Sequence, residues 1–254
     1  MADVYVSNWS EFVEAVAVAG DTVILPEAER WDMNVIAPEG VTGNIPVNCA
    51  KIIGNGTSVW NGRFYGSFQV SGTEVQDFHI INYFSDSVTV SGTGVFSRCM
   101  FSGLSAAIVG VPLIGTSWHR CAFNVELQHG EPWAVSGECT YCRIILHAAR
   151  AIGTNIAARN AVKKNCEIIM YMPAATHLYM ENAQYCTIRG NMAACGYIGK
   201  YSYDHGSAYT IVDTDDLAEG ASVYAPLIGV TDAQMKDAAY LASIGFPIGG
   251  GDDA

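Results

Sequence analysis

"VFSRCMFSG" occupies residues 95–103 and "SWHRCAFNV" occupies residues 117–125. Each holds Arg, Cys, one variable residue and Phe, in that order, and the second Cys follows the first by 22 residues. No enzymatic motif has this form, so its recurrence is read as a structural repeat. Working outward gives six lines, anchored on Phe78 in "DFHII", Cys99 in "RCMF", Cys121 in "RCAFN", Cys142 in "YCRII", Cys166 in "NCEII" and Cys186 in "YCTIR". The steps between anchors are 21, 22, 21, 24 and 20 residues.

Two residues beyond the anchors stand Ile80, Phe101, Phe123, Ile144, Ile168 and Ile188; between lie His79, Met100, Ala122, Arg143, Glu167 and Thr187. Apolar columns at i and i+2 flanking a mixed column have the period of a strand with one buried face. A period near twenty residues with variable joints is that of a solenoid coil, each strand lying parallel to its predecessor at about 4.8 Å. Phe78, Cys99, Cys121, Cys142, Cys166 and Cys186 then form a ladder inside the coil. Cys suits that place, being small and among the most buried residue types. The strand spacing exceeds the roughly 3.8 Å between Cβ atoms that a disulfide prefers, so the thiols are expected reduced. On the outer face Arg143 falls beside Glu167, an exposed pair that contributes at most about 1 kcal/mol.

A second strand is expected about ten residues after each anchor, near Val88, Ile108, Val135 and Leu178. The 24-residue step assigns a bulging turn to residues 153–160. Residues 26–75 do not fit the period, because Ala50 and Phe78 are 28 apart. Both ends carry helix signals that would cover an open coil. Asn8 caps Trp9, Phe12, Val13 and Val16 with Glu11 at the capping-box position, and Gly20 ends that helix before the strand "DTVIL". Thr231 with Gln234 starts a second helix whose apolar side is Met235, Ala238, Ala239 and Ala242, stopped by Gly245 and Pro247. Residues 213–220 read as a linker with an acidic patch.

The lid helix, "DTVILPE", "KIIGNG" and the twenty-residue coils together resemble right-handed parallel β-helix proteins of the pectate-lyase-like superfamily. The expected fold is therefore all-β: a right-handed single-stranded parallel β-helix with coils of about 20–24 residues, an N-terminal capping helix and a short C-terminal helical element. The helix with its cap spans 1–212, and 213–254 forms the linker and attachment element. Residues 230–248 resemble short C-terminal elements of phage and prophage structural or adhesin-like proteins.

The formal net charge of −12 argues against a nucleic-acid partner. Charged residues are only 15% of the chain and Gly numbers 26. The start lacks a basic region followed by an apolar stretch, and the longest apolar run, at 106–115, is too short for a membrane span. Synthesis and assembly in a host cytoplasm are expected, with the eight Cys free.

Hydrolases of the resembling fold carry an Asn-Thr-Asp phrase, then Asp-Asp, then Gly-His-Gly. Here "DTDD" at 213–216 follows "YDHGS" at 203–207, and Gly-His-Gly is missing. No catalytic residue, metal ligand or cofactor is assigned. Tyr201, Tyr203, Asp204 and His205 form the richest polar-aromatic cluster, a candidate sugar cradle set against a solvated turn. "CTYC" at 139–142 is a lone CxxC; with Cys142 inside, simple alternation points Cys139 outward. "QHGEP" at 128–132 reads as a turn.

These features favour a non-enzymatic phage virion structural protein, a head-surface decoration, short fibre or tail-associated adhesin. Its expected place is the virion surface, among capsid or tail proteins, as a homotrimer joined through an outward aromatic stripe for which Trp118 and Trp133 are candidates. A host-surface glycan is the remaining partner. Two alternatives stand beside this: a polysaccharide-depolymerising, tailspike-like lyase or hydrolase, and a carbohydrate-binding adhesin. Tailspikes of the resembling fold place an anchoring domain before the coil, and a lid starting within ten residues of Met1 leaves no room for one.

Overall fold

Each Cys phrase forms a corner between two parallel sheets. The computed structural model describes residues 1–27, 42–56, 58–61, 65–82, 88–104, 116–126, 137–148, 155–158, 161–199 and 209–247. Within them the chain is a parallel β-solenoid of three sheets. The first sheet runs through Asp3–Tyr5, Thr22–Ile24, Lys51–Ile53, Tyr65–Gln76, Val88–Ser97, Ser117–His119, Gly137–Thr140, Ala161–Lys164 and Ala183–Gln184. The second contains His79–Asn82, Met100–Leu104, Ala122–Glu126, Arg143–His147, Glu167–Tyr171, Thr187–Arg189, Thr210–Asp213 and Leu227–Val230, with Ser58–Asn61 at its head. The third is shorter: Asn155–Ala158, His177–Met180, Tyr197–Gly199 and Ser222–Val223.

The corner between the first two sheets is two residues long, and the residue before each anchor is left-handed. Asp77, Arg98, Arg120, Tyr141, Asn165 and Tyr185 have φ of 52–55°, and Tyr209 has 48°. For residues other than Gly this conformation costs roughly 1–2 kcal/mol each. Hydrogen bonds between coils offset it. The Arg98 N–H donates to His119 O at 3.0 Å and the Arg120 N–H to Thr140 O at 3.0 Å. The anchor carbonyl is used as well: Ala122 N–H donates to Cys99 O at 2.9 Å and Glu167 N–H to Cys142 O at 3.0 Å. The backbone ladder therefore passes through the bend unbroken.

The anchors Phe78, Cys99, Cys121, Cys142, Cys166 and Cys186 are all buried, and all eight Cys are free. Beyond filling space, each anchor thiol donates to carbonyls that the bend leaves inside. Cys121 Sγ lies 3.5 Å from Phe96 O and from His119 O; Cys142 Sγ lies 3.3 Å from Trp118 O and 3.5 Å from Thr140 O. One coil below Cys186 the same place is held by Thr210, whose hydroxyl donates to Ala183 O at 2.9 Å and accepts from Cys186 N–H at 3.3 Å. Small size with a polar hydrogen is the requirement at this position.

The bend also corrects the expectation for Cys139. Alternation holds only along an unbroken strand; a left-handed residue between the sheets returns position i−3 to the interior. Val75, Phe96, Trp118, Cys139, Lys163 and Ala183 occupy one inward column of the first sheet, each paired in register with the next. Cys139 is thus completely buried, and Trp118 is core rather than part of an outward stripe, stacked on Phe96 with ring centroids 4.3 Å apart. Trp133 lies outside the described residues. The corner strand before each anchor is the element that the sequence pattern missed, and it includes the expected second strand at Val88.

Other expectations are adjusted by the register. Residues 155–158 are a strand of the third sheet rather than part of a bulging turn. Ile52 pairs with Val75, so the irregular early coil has ordinary length once Ile52 replaces Ala50 as its marker. Thr42–Val47 lies beside the first half of Tyr65–Gln76, and Lys51–Ile53 beside its second half. Coil pairing continues past residue 212 to Val230, where Leu227–Val230 pairs with Thr210–Asp213.

Helix α1 (Trp9–Val16) closes the first coil. Asn8 caps it, accepting from Glu11 N–H at 3.0 Å, and Trp9, Phe12, Ala15 and Val16 are buried. The Phe12 ring stacks on Phe78 at 6.1 Å, while Asn48 N–H donates to Val16 O at 2.8 Å. At the other end the expected single helix is two, α2 (Asp232–Met235) and α3 (Ala238–Ser243). Thr231 and Gln234 form the full capping box, but Asp237 takes the N–H groups of Ala239 and Tyr240 and starts a new helix. Neither helix has a buried residue, so this end differs from the lid at the first coil.

Candidate functional site: an aromatic shelf on the third sheet

The strand His177–Met180 turns Leu178 and Met180 inward and leaves His177 and Tyr179 outside. One coil on, Tyr197 pairs with His177, and Gly199 pairs with Tyr179. A further coil on, Tyr224 N–H donates to Ile198 O at 2.9 Å, which places Tyr224 beside Gly199. Gly199 faces outward yet is buried, because the Tyr197 ring lies along its own strand above it. A Cβ at Gly199 would stand 2.8 Å from the Tyr197 hydroxyl and 3.0 Å from its ring carbon. The missing side chain lets Tyr197 fill the gap between its two neighbours.

Four rings therefore form a shelf across three coils. Tyr197 lies 5.6 Å from Tyr179, 4.9 Å from Tyr224 and 5.5 Å from His177, with interplanar angles of 57°, 33° and 36°. Tyr224 is 49% exposed and the other three rings are half-buried. Burial, followed by the neighbouring Tyr179 and Tyr224, pushes the Tyr197 hydroxyl above the ordinary phenol range. A smaller outward stack pairs His147 with Tyr171 at 4.8 Å; the His147 ring nitrogen lies 3.0 Å from Asn124 Oδ1.

The outward carboxylates of the first two sheets are tied to cations on adjacent coils. Asp77 receives both Nε and an amino group of Arg98 at 2.8 and 2.7 Å. Glu138 meets Lys164 at 2.7 Å, and Glu74 meets Lys51 at 3.4 Å. Glu167 holds Arg143 at 3.0 Å on one side and Arg189 on the other. Nearer the chain end, acidic side chains serve the backbone: Asp213 accepts from Asp215 N–H at 3.1 Å, Asp215 from Asp232 N–H at 2.9 Å and Asp216 from Gly190 N–H at 2.6 Å. Burial, with Asp216, Asp215 and Asp232 nearby, holds the Asp213 carboxyl above its usual range. Among the described residues no three His, Cys, Asp or Glu side chains converge as a metal site, and no helix is long and apolar enough to cross a membrane.

Tyr201, Tyr203, Asp204 and His205, the sugar cradle expected from sequence, lie outside the described residues, as does 128–132. The shelf was not singled out from sequence, although its signal is there: "HLY", "YIG" and "SVY" place Leu178, Ile198 and Val223 about a coil apart beside aromatic residues.

The fold and surface define a parallel β-solenoid with ladders of paired charges and one aromatic shelf among its described residues. Compared with protein-family models, curated proteins and solved structures, the chain matches none of them significantly.

Proposed function

We propose that the chain is a non-enzymatic structural protein of a phage virion, serving as a head-surface decoration, short fibre or tail-associated adhesin. The observation that carries the non-enzymatic part is the commitment of its outward carboxylates. Asp77, Glu74, Glu138 and Glu167 each neutralise a cation on the next coil, which stiffens a rod and leaves these acids engaged as ion-pair partners. General acid–base work on a polysaccharide needs carboxyl groups aimed at a substrate instead.

The particle location draws on the likeness of residues 230–248 to phage C-terminal elements. It is supported by the two capped helices there, which keep Met235, Leu241, Ile244 and Phe246 only half-buried and fit an attachment element. The partners in this reading are capsid or tail proteins and two further copies of the chain, at the virion surface. Mass spectrometry of purified particles tests it: the protein is expected at stoichiometric copy number, and particles without it would overturn the location. An oligosaccharide-release assay on capsule and lipopolysaccharide is expected to yield no product; release would favour the depolymerase reading.

A further inference from the structure

The shelf of His177, Tyr179, Tyr197 and Tyr224 has a chemistry of its own. We infer that it is a binding surface for a neutral glycan, whose pyranose rings stack by their C–H faces on the tyrosine rings. Three observations converge on this occupant. The rings are spread side by side along the solenoid axis at 4.9–5.6 Å, so a chain lying along the rod meets successive rings. Gly199 keeps the Tyr197 ring flat on the sheet, a built feature that packing of the coil interior does not require, since Gly199 and Tyr197 both lie outside it. The net charge of −12 repels phosphate-bearing and acidic polymers, leaving an uncharged ligand as the complementary one.

Ring faces carry the negative side of the aromatic quadrupole, and the C–H bonds on the flat face of a sugar present the positive side. Tyr and His also give the shelf polar edges beside sugar hydroxyls, which an aliphatic peptide would not use. Desolvating a few such rings supports weak binding per site, strengthened where several copies act together on one surface.

The test uses the full chain and a panel of neutral hexasaccharides with α-glucan, β-glucan, β-mannan and β-linked N-acetylglucosamine backbones. Saturation-transfer NMR and calorimetry on wild type are expected to show saturable binding of at least one. Tyr224→Ala and Tyr179→Ala are expected to weaken it by about tenfold or more. Gly199→Val, which lifts the Tyr197 ring without deleting any ring, is expected to do the same. Tyr141→Ala, on a corner of the coil away from the shelf, leaves binding unchanged. Unaltered melting temperature shows that each variant is folded, and the exposed Tyr224 gives the variant least prone to misfold.

Absence of saturable binding across the panel overturns the inference, as does undiminished binding by Tyr224→Ala together with Tyr179→Ala. So does a wild type that binds no sugar but forms an assembly that Tyr224→Ala dissociates, since the shelf then belongs to a contact between copies. The inference stands apart from the particle location: sugar binding by a protein missing from virions sinks the location alone, and a virion protein blind to these sugars sinks the shelf alone.

Discussion

Lys163 pairs in register with Cys139 and stands in the same inward column, its side chain fully enclosed by the coil. Burial pushes its ammonium down to about 8, against the opposing influence of Cys139, Cys186, Cys166 and Glu181. Between that value and the ordinary 10.5 the unfolded chain carries a proton that the folded chain lacks. Stability from this group therefore rises with pH across that window and sits at its lower level below it. The enclosed lysine costs the fold on the order of 3 kcal/mol near neutral pH. Lys163→Met is expected to be the more stable protein by that order, with the gap closing as pH approaches about 10. Urea denaturation of both proteins across this range measures it; a gap independent of pH would contradict the assignment.

The corner thiols predict an asymmetric response to two substitutions of similar shape. Cys121→Thr keeps a polar hydrogen for Phe96 O and His119 O, as Thr210 does for Ala183 O, whereas Cys121→Val supplies none. The Val variant is expected to be less stable than the Thr variant by about 1–3 kcal/mol, the cost of buried carbonyls left without a donor. Chemical denaturation distinguishes them, and equal stability would show that the thiol acts through volume alone.

Accessibility of the thiols gives a separate check. All eight Cys are buried and unpaired, and burial pushes the Cys49 thiol up to about 11. A thiol reagent is expected to modify none in the native protein and all eight in denaturant. Rapid native labelling of Cys99, Cys121, Cys142, Cys166 or Cys186 would contradict the enclosed column.

At the first coil, Phe12→Ala is expected to cost about 3–5 kcal/mol, because its ring joins the lid to Phe68 and Phe78. Asn8→Ala removes only the cap and is expected to cost about 1 kcal/mol. Thermal melts rank the two, and a larger effect for the cap would show that the lid is held by its end rather than its face.

The ion ladder is expected to matter least. Glu167→Gln breaks contacts with both Arg143 and Arg189, yet all three side chains are substantially exposed. A loss of at most about 1 kcal/mol, shrinking with added salt, is expected from denaturation at low and high ionic strength.

The second sheet and its corners were legible because their residues repeat by type: Phe, Cys and Ile fall at constant offsets. The first sheet was hidden because its inward column is chemically mixed, running Val75, Phe96, Trp118, Cys139, Lys163 and Ala183. No hydropathy pattern assigns a lysine to an interior, and strict alternation sent Cys139 to the wrong face. The left-handed corner was equally silent, since Asp, Arg, Asn and Tyr share no side-chain character and are united only by backbone conformation. The shelf depends on Gly199, a position whose meaning emerges only when the neighbouring coils are laid beside it.

Each corner bonds to the corners directly before and after it, which makes length an adjustable property of this chain. Deleting residues 167–186 would join Cys166 to Thr187, the residue already aligned with Glu167 one coil away. A protein built this way shortens or grows by whole windings, with the spacing between its two ends changed by about 4.8 Å at a time.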